Sequence, residues 1–511
     1  MPGARLFRNI DTAFARFVDG LSDPVRRRRA ALTFVLGYGA LWFVYGVIAK
    51  SSQDLNADMA EMVVWMRELA LGFPKHPPFP VWVLWCWFKI FPLTDWAYIL
   101  LAVVNMSAAI AAAFALAGEW LDREKRAAVP FLLAAIPFYN FLALKYDANS
   151  AALPLWPLAM WAMMRALDTR LAGWAALAGI AAAAAMMSKY WSGFLLVALA
   201  LAALTDRRRN AYFRSPAPWV TALAFILCVT PHVVWLFVNH FPPITWVTTR
   251  RFAVSFWDGP RSLIEYWLGT VGYAGPALLL VLAFVRPKAA AIADSWLPRD
   301  ERRTAIVLFW TPLALPMVPA LAANISLLSI WNLPALSLVP VMALASPLVT
   351  VSRAALMRIA ATVAAITIAL VVASPVIAFV ILKTGVENDA AYARLAMQET
   401  EREWHKSEDK PLKLIAGPFV LVSTAAFYGA DKPSTFADFS HYLAPWVDEA
   451  RIAREGMAIM VAADSPWFDF TMKQIDAFPA ARRTAVTLTR DWLGFESAPR
   501  RFVIAIVPPR Q

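Results

Sequence analysis

The chain has 511 residues, 60% of them hydrophobic, with 23 Trp and a mean hydropathy of +0.54. This composition lies outside the range of soluble domains and identifies a polytopic membrane protein. The net charge of +12 does not point to nucleic acid, because the basic residues gather at the ends of apolar runs, as cytoplasmic loops require.

The N-terminus opens on MPGARLFRNIDTAFARF, polar and arginine-bearing, with no small-residue cleavage site after a short apolar core. Residues 1–29 are therefore expected as a cytoplasmic segment, and the first apolar run, near 30–49, as a retained span that leaves the cytoplasm behind Arg26 to Arg29. Residues 50–93 then form an outer loop. Its tail, PPFPVWVLWCWFKIF, is short, opens at Pro77 and Pro78, contains Lys89 and is rich in Trp. An interfacial or re-entrant helix is expected there, because a crossing would move the cluster Arg123/Lys125/Arg126 to the outside.

Further spans are expected near 94–119, 128–143, 151–165, 171–187, 191–204, 218–238, 262–285, 304–322, 329–347 and 354–382. The transmembrane domain is thus 30–382, with about 11–13 helices by the ~20 residues that each crossing needs. Outer loops then hold Lys145/Tyr146/Asp147, Ser188/Lys189/Tyr190, Asn239 to Arg261 and the stretch around Asn324. Cys86 and Cys228 stand inside apolar runs and are read as small core residues, with no disulfide and no cysteine metal site. After residue 382 the sequence turns polar. AAYARLAMQETEREW is helical in pattern, and LKLIAGPFVLVSTAAFYG, MAIMVAA, TAVTLTR and RFVIAIVPP are strand-like, so residues 383–511 are expected as a small α/β domain on the outer side.

Charge of both signs concentrates in DLNADMAEMVVWMRELALGFPKHPP, from Asp54 to Pro78. Asp58 and Glu61 are spaced i, i+3 and share one helix face. A carboxylate there suits a general base toward an acceptor hydroxyl, and the plainer reading is a solvated loop charge. Lys75 and His76 follow, beside a backbone stiffened by Pro77 and Pro78. Asp147, in KYDANSAALPLWP, lies between apolar segments, where ionisable groups are costly and kept mainly for function, although Lys145 can simply neutralise it. Lys189, in AMMSKYWSGF, is either a lysine snorkelling to the interface or a point-charge partner for a phosphate. His232 and His240 stand eight apart without an acid at ligand spacing and are read as structural. No Walker loop, dinucleotide fingerprint or zinc-protease helix occurs.

DMAEMVVWMRELALGFPKHPPFPVWVLWCWFKIFP resembles the first outer loop of bacterial GT-C type membrane glycosyltransferases of the protein O-mannosyltransferase superfamily, which includes aminoarabinose and galacturonic acid transferases acting on lipid A. Asp58, Ala60, Gly72, Phe73, His76, Pro77 and Pro78 match that family's loop, and Met59 replaces its usual second acid, leaving open whether Glu61 substitutes. KYDANSAALPLWPLAMWAMMRAL, AMMSKYWSGFLL and PHVVWLFVNHFPPITWV are similar to later family motifs, in the same order.

The resemblance implies an all-α polytopic membrane domain with a C-terminal periplasmic α/β domain, in the bacterial inner membrane with a cytoplasmic N-terminus. It implies transfer of a sugar from a polyprenyl-phosphate-linked donor to a hydroxyl of a lipid, glycan or protein acceptor, with inversion at the anomeric carbon. Asp58 is then the base, with Glu61 as helper. Lys75, His76 and Lys189 hold the donor phosphate, and Asp147 positions lysine or substrate or shares a metal with Asp58. Some relatives use a divalent metal ion and others do not, so the metal stays open. Two readings from other classes compete: a non-catalytic lipid-binding relative, which Met59 invites, and a transporter of polyprenyl-linked sugars. The transporter reading calls for ionisable groups near mid-membrane, and this chain has almost none.

Overall fold

The structure, a computed structural model, describes residues 2–250, 257–385 and 389–510. Part of the outer loop expected at Asn239 to Arg261 lies outside the described residues. Helix α1 spans Pro2–Ser22, and α2, Arg27–Ala49, starts inside the arginine cluster. Two short helices follow, α3 (Ala57–Glu68) and α4 (Phe79–Phe88). The ten residues of α4 rise about 15 Å, half the ~30 Å hydrocarbon thickness, so α4 is too short to cross.

Helices α5 (Asp95–Ala117), α6 (Arg123–Ala135), α7 (Ala148–Thr169), α8 (Ala172–Ser188), α9 (Gly193–Thr205), α10 (Arg209–Phe213), α11 (Ala217–Val238) and α12 (Pro242–Arg250) come next. They are followed by α13 (Asp258–Leu280), α14 (Ala289–Ser295), α15 (Arg303–Ala314), α16 (Met317–Ala323), α17 (Val339–Leu344) and α18 (Arg353–Thr384). Among the described residues, six stretches are long and apolar enough to cross a membrane: Arg27–Ala49, Asp95–Ala117, Ala217–Val238, Asp258–Val285, Arg303–Ala323 and Arg353–Thr384. The protein is a multi-pass membrane protein.

Two expectations for the apolar region need correction. The run expected as a span near 128–143 is not one helix: α6 stops before Pro137, with Ile136 pushed into the extended region, and the chain continues as 3-10 turns at Pro137–Tyr139 and Phe141–Leu144. Cys86 on α4 and Cys228 on α11 are exposed instead of buried in the core. Lipid-facing and core-facing positions of a membrane helix are equally apolar, so an apolar run does not say which way a cysteine points.

The chain forms two compact units, one of residues 1–43, 71–80 and 99–371, the other of residues 44–70, 81–98 and 372–511. In the first unit the helices approach through small residues. A Cβ on Gly179 of α8 would lie 2.3 Å from the Thr221 carbonyl oxygen of α11. Buried polar contacts tie apolar helices together: the Tyr266 hydroxyl, with one proton to share, lies 2.8 Å from both the Leu313 carbonyl and Asn332 Oδ1, and Asn332 donates a 2.8 Å bond to Thr270.

The second unit holds helices α19 (Ala393–His405), α20 (Phe419–Tyr428), α21 (Glu449–Glu455) and α22 (Phe468–Asp476). Its strands are β1 (Leu414–Gly417), β2 (Ser434–Ala437), β3 (Met457–Ala462), β4 (Arg482–Leu488), β5 (Asp491–Trp492), β6 (Phe495–Glu496) and β7 (Arg500–Val507). Five of them form one sheet in the order β2-β1-β3-β7-β4, parallel across β2, β1 and β3 and antiparallel at β7 and β4. The stretch LKLIAGPFVLVSTAAFYG, expected as strand, is strand only as far as Gly417. Pro418 has no amide hydrogen to give a ladder and suits a helix entry, so Phe419 to Tyr428 become α20. An apolar core of Leu414, Phe436, Ile459 and Ile475 fills the space between sheet and helices.

Candidate active site

The first unit carries the loop from Leu71 to Pro80, and three neighbours fix it. His232 of α11 bonds the Leu71 carbonyl at 2.8 Å through Nδ1 and Tyr190 at 2.9 Å through Nε2. A carbonyl only accepts, so Nδ1 carries the proton and Nε2 accepts from the Tyr190 hydroxyl. His232 is thus the structural histidine that its sequence context suggested. Gly72 presses on α11 so tightly that a Cβ would lie 2.3 Å from the Trp235 ring. Tyr146 donates to the Pro80 carbonyl at 3.4 Å. Between these anchors the Phe73 amide bonds the His76 carbonyl at 3.2 Å, closing a turn ahead of the buried Pro77 and Pro78.

The turn presents Lys75 and His76. Lys75 Nζ sits 5.2 Å from the centroid of Trp246 on α12. Burial, with Lys75 and Lys189 nearby, holds the His76 imidazole well below its usual range. His76 is therefore neutral and brings a hydrogen-bonding N–H. Lys189, at the C-terminal end of α8, donates to Asn149 Oδ1 and lies 5.2 Å from the centroid of Trp331. Asn149, Trp156, Lys189, Trp191, Ser192 and Trp331 line a narrow cleft. Two ammonium groups, a neutral imidazole and indole faces suit a phosphate carrying an apolar tail.

Asp147 is buried and caps α7. Its Oδ1 accepts the amides of Asn149 at 2.8 Å and Ser150 at 2.9 Å, the Ser150 hydroxyl receives the Asp147 amide at 2.8 Å, and Oδ2 pairs with Lys145 at 3.4 Å. This is the arrangement of a positioning residue, because the carboxylate orients Asn149 and Asn149 receives Lys189. Asn149, Trp246 and Trp331 are members that the sequence reading missed. Asn149 stood two residues from Asp147 inside the quoted motif, whereas nothing local marked Trp331.

Asp58 and Glu61 lie on α3, in the second unit. Asn56 caps that helix by accepting the Asp58 amide at 3.0 Å, which leaves Asp58 half-buried in the positive first turn. Glu61, one turn on, is buried at 3% exposure, and Met59 between them gives its carbonyl to the Tyr98 hydroxyl at 2.8 Å. Lys75, His76, Asp147 and Lys189 all belong to the first unit. Among the described residues, no three His, Cys, Asp or Glu side chains gather as metal ligands.

Residues 75–235 match the family model of dolichyl-phosphate-mannose-protein mannosyltransferase. No curated protein matches the chain in sequence. Among solved structures, ArnT from Cupriavidus metallidurans bound to undecaprenyl phosphate is similar, with 14% identity and a TM-score of 0.63 over 93% of this chain and 97% of that chain. The apo state of the same protein gives 14% identity and a TM-score of 0.60 over the same shares. The segment 75–235 is thus similar to that mannosyltransferase family, and the likeness to the ArnT structures is one of fold.

Proposed function

We propose that the protein is a glycosyltransferase that moves a sugar from a polyprenyl-phosphate-linked donor to a hydroxyl of a lipid, glycan or protein acceptor at the periplasmic face of the inner membrane, with inversion. The observation that carries this reading is the cluster of Lys75, His76 and Lys189 among Trp246 and Trp331, within the family-matched segment. The similar ArnT structure was solved with undecaprenyl phosphate bound, which supports a donor of that class. Positive-inside placement of the basic clusters supports a cytoplasmic N-terminus and a periplasmic C-terminal domain.

The chemistry is a single displacement. The acceptor oxygen bonds to the anomeric carbon as the bond from that carbon to the phosphate oxygen breaks, and the electron pair leaves with the polyprenyl phosphate. Lys75 and Lys189 offset the charge that grows on the leaving phosphate, and His76 donates an N–H to it. Such preorganised donors usually supply the largest part of catalysis. To Asp58 falls, on the resemblance of its loop, the proton of the acceptor hydroxyl. Glu61 supports it, and Asp147 holds Asn149 and through it Lys189.

The test incubates purified protein with labelled undecaprenyl-phosphate-linked sugars and a lipid A or glycolipid acceptor. Transfer that Lys75→Ala and Lys189→Ala each depress is the expected result. Absence of transfer with every donor offered, from protein of intact fold, overturns the proposal.

A further inference from the structure

Helix α3, which carries Asp58 and Glu61, is fastened at both ends by side chains from the C-terminal part of the chain. Ahead of it, Arg490 donates to the Ser52 carbonyl at 2.8 Å, and the Trp492 indole donates to Ser51 at 2.7 Å. The Arg394 amide donates to Asp54 Oδ2 at 2.9 Å, while its guanidinium reaches Asp95 Oδ2 at 2.7 Å and lies 4.2 Å from the centroid of Tyr428. The Tyr428 hydroxyl closes the circuit by donating to Asp95 Oδ1 at 2.6 Å and accepting the Leu55 amide at 2.8 Å. At the far end, Arg67 donates to the Ala426 carbonyl at 2.7 Å and to that of Pro433, and Ser434 donates to Glu68 at 2.7 Å.

Asp54, Asp95, Arg394 and Tyr428 form a half-buried ionic network, Asp54 standing three residues before the start of α3. Stability alone does not call for it, because ion pairs that solvent reaches contribute only about 0–1 kcal/mol. Directional bonds that converge on one loop favour a single arrangement of it, and Leu55 lies three residues from Asp58. We propose that Arg394, Asp95 and Tyr428 are positioning residues that fix the Asp58 carboxylate through the Leu55 amide and α3, making the C-terminal domain part of the catalytic apparatus. The proposal rests on the reading of Asp58 as the base. A base misplaced by an ångström costs on the order of a hundredfold in rate without weakening donor binding to the same degree.

The experiment compares wild type with Tyr428→Phe, Arg394→Lys and Arg394→Gln, measuring hydrogen exchange of amides 55–62 and the kcat and KM of transfer. In Tyr428→Phe the ring stays while both of its bonds are lost. The expected result is exchange at 55–62 faster by about tenfold, with kcat lower by roughly tenfold to a hundredfold and donor KM nearly unchanged. Arg394→Lys recovers part of what Arg394→Gln loses. Unchanged exchange at 55–62 overturns the clamp. Faster exchange with unchanged kcat overturns the positioning role, as does exchange that rises equally through β1, β3 and β7. A wild-type protein without transferase activity overturns the functional reading instead, and exchange then decides the clamp alone.

Discussion

Lys189 donates its ammonium to the side-chain carbonyl of Asn149, joining the end of α8 to the first turn of α7. Asn149 is held there by Asp147, so a residue that caps a helix also aims a cation. The two duties separate by substitution. Asp147→Ala loses the cap, about 1 kcal/mol, and lowers transfer by roughly tenfold or more as Asn149 drifts. Asp147→Asn caps equally well and keeps most activity. If thermal melts and assays show Asp147→Asn as damaged as Asp147→Ala, the carboxylate has a duty beyond capping.

Asp58 stands in the first turn of α3, where a negative charge contributes only about 0.3–1 kcal/mol to the helix. Asp58→Asn therefore melts close to wild type. Its kcat falls by about 10²–10⁴, the range that general-base help supplies. Turnover within a few fold of wild type in steady-state assays removes Asp58 from the role of base.

His76 is held below its usual pKa by burial and by Lys75 and Lys189. A histidine kept neutral in the fold binds fewer protons there than in the unfolded chain. Its stabilisation is present above the unfolded pKa of about 6.5 and is lost as pH falls through the folded value. Wild type thus loses melting temperature on acidification below pH ~6.5 more steeply than His76→Gln does. Parallel curves of melting temperature against pH for the two proteins contradict a neutral His76.

Asp54 behaves in the opposite sense. Burial, only partly offset by the Arg394 amide and charge and by Arg490, and reinforced by Asp95, pushes it up to about 7. The folded state then binds more protons than the unfolded one between the ordinary aspartate value of about 3.9 and this raised one, so the contribution is fully present below the former and is lost as pH climbs through the latter. Asp54→Asn can still accept the Arg394 amide and carries no charge. It is expected to melt higher than wild type at pH 8 and much like it near pH 5. A melting temperature at pH 8 below that of wild type shows that the charge is needed.

Gly72→Ala places a methyl group where the Trp235 ring stands, 2.3 Å away. The indole is packed against His232 and cannot swing aside freely, so the loop must move. Overpacking of this kind costs about 1–3 kcal/mol, and transfer falls because Lys75 and His76 ride on the same loop. Transfer kinetics equal to wild type show that Lys75 and His76 tolerate the shift.

Much of this was legible in order along the chain and little of it across the chain. Apolar runs located the long helices, and β-branched runs located β3, β4 and β7. The break at Pro137 and the helix after Pro418 were both written in proline, yet apolar content spoke louder in the sequence reading. Asp147 and Lys189 were singled out separately, whereas the bond that relates them runs through Asn149, whose type carries no signal of its own. The Arg394 network joins residues some 300 positions apart. No periodicity reports a contact of that separation, because it is set by how helices and sheet pack.

The end of α3 bonds residues 433 and 434, at the start of β2, and β2 is an edge of the five-stranded sheet. The opposite edge, β4, guards itself with the exposed Arg482 and Arg483, but all four residues of β2 are buried and uncharged. α3 therefore also serves as a lid over a sticky strand. A lesion that loosens this helix, besides lowering the proposed transfer, would bare a template for self-association, and the protein would be lost to aggregation.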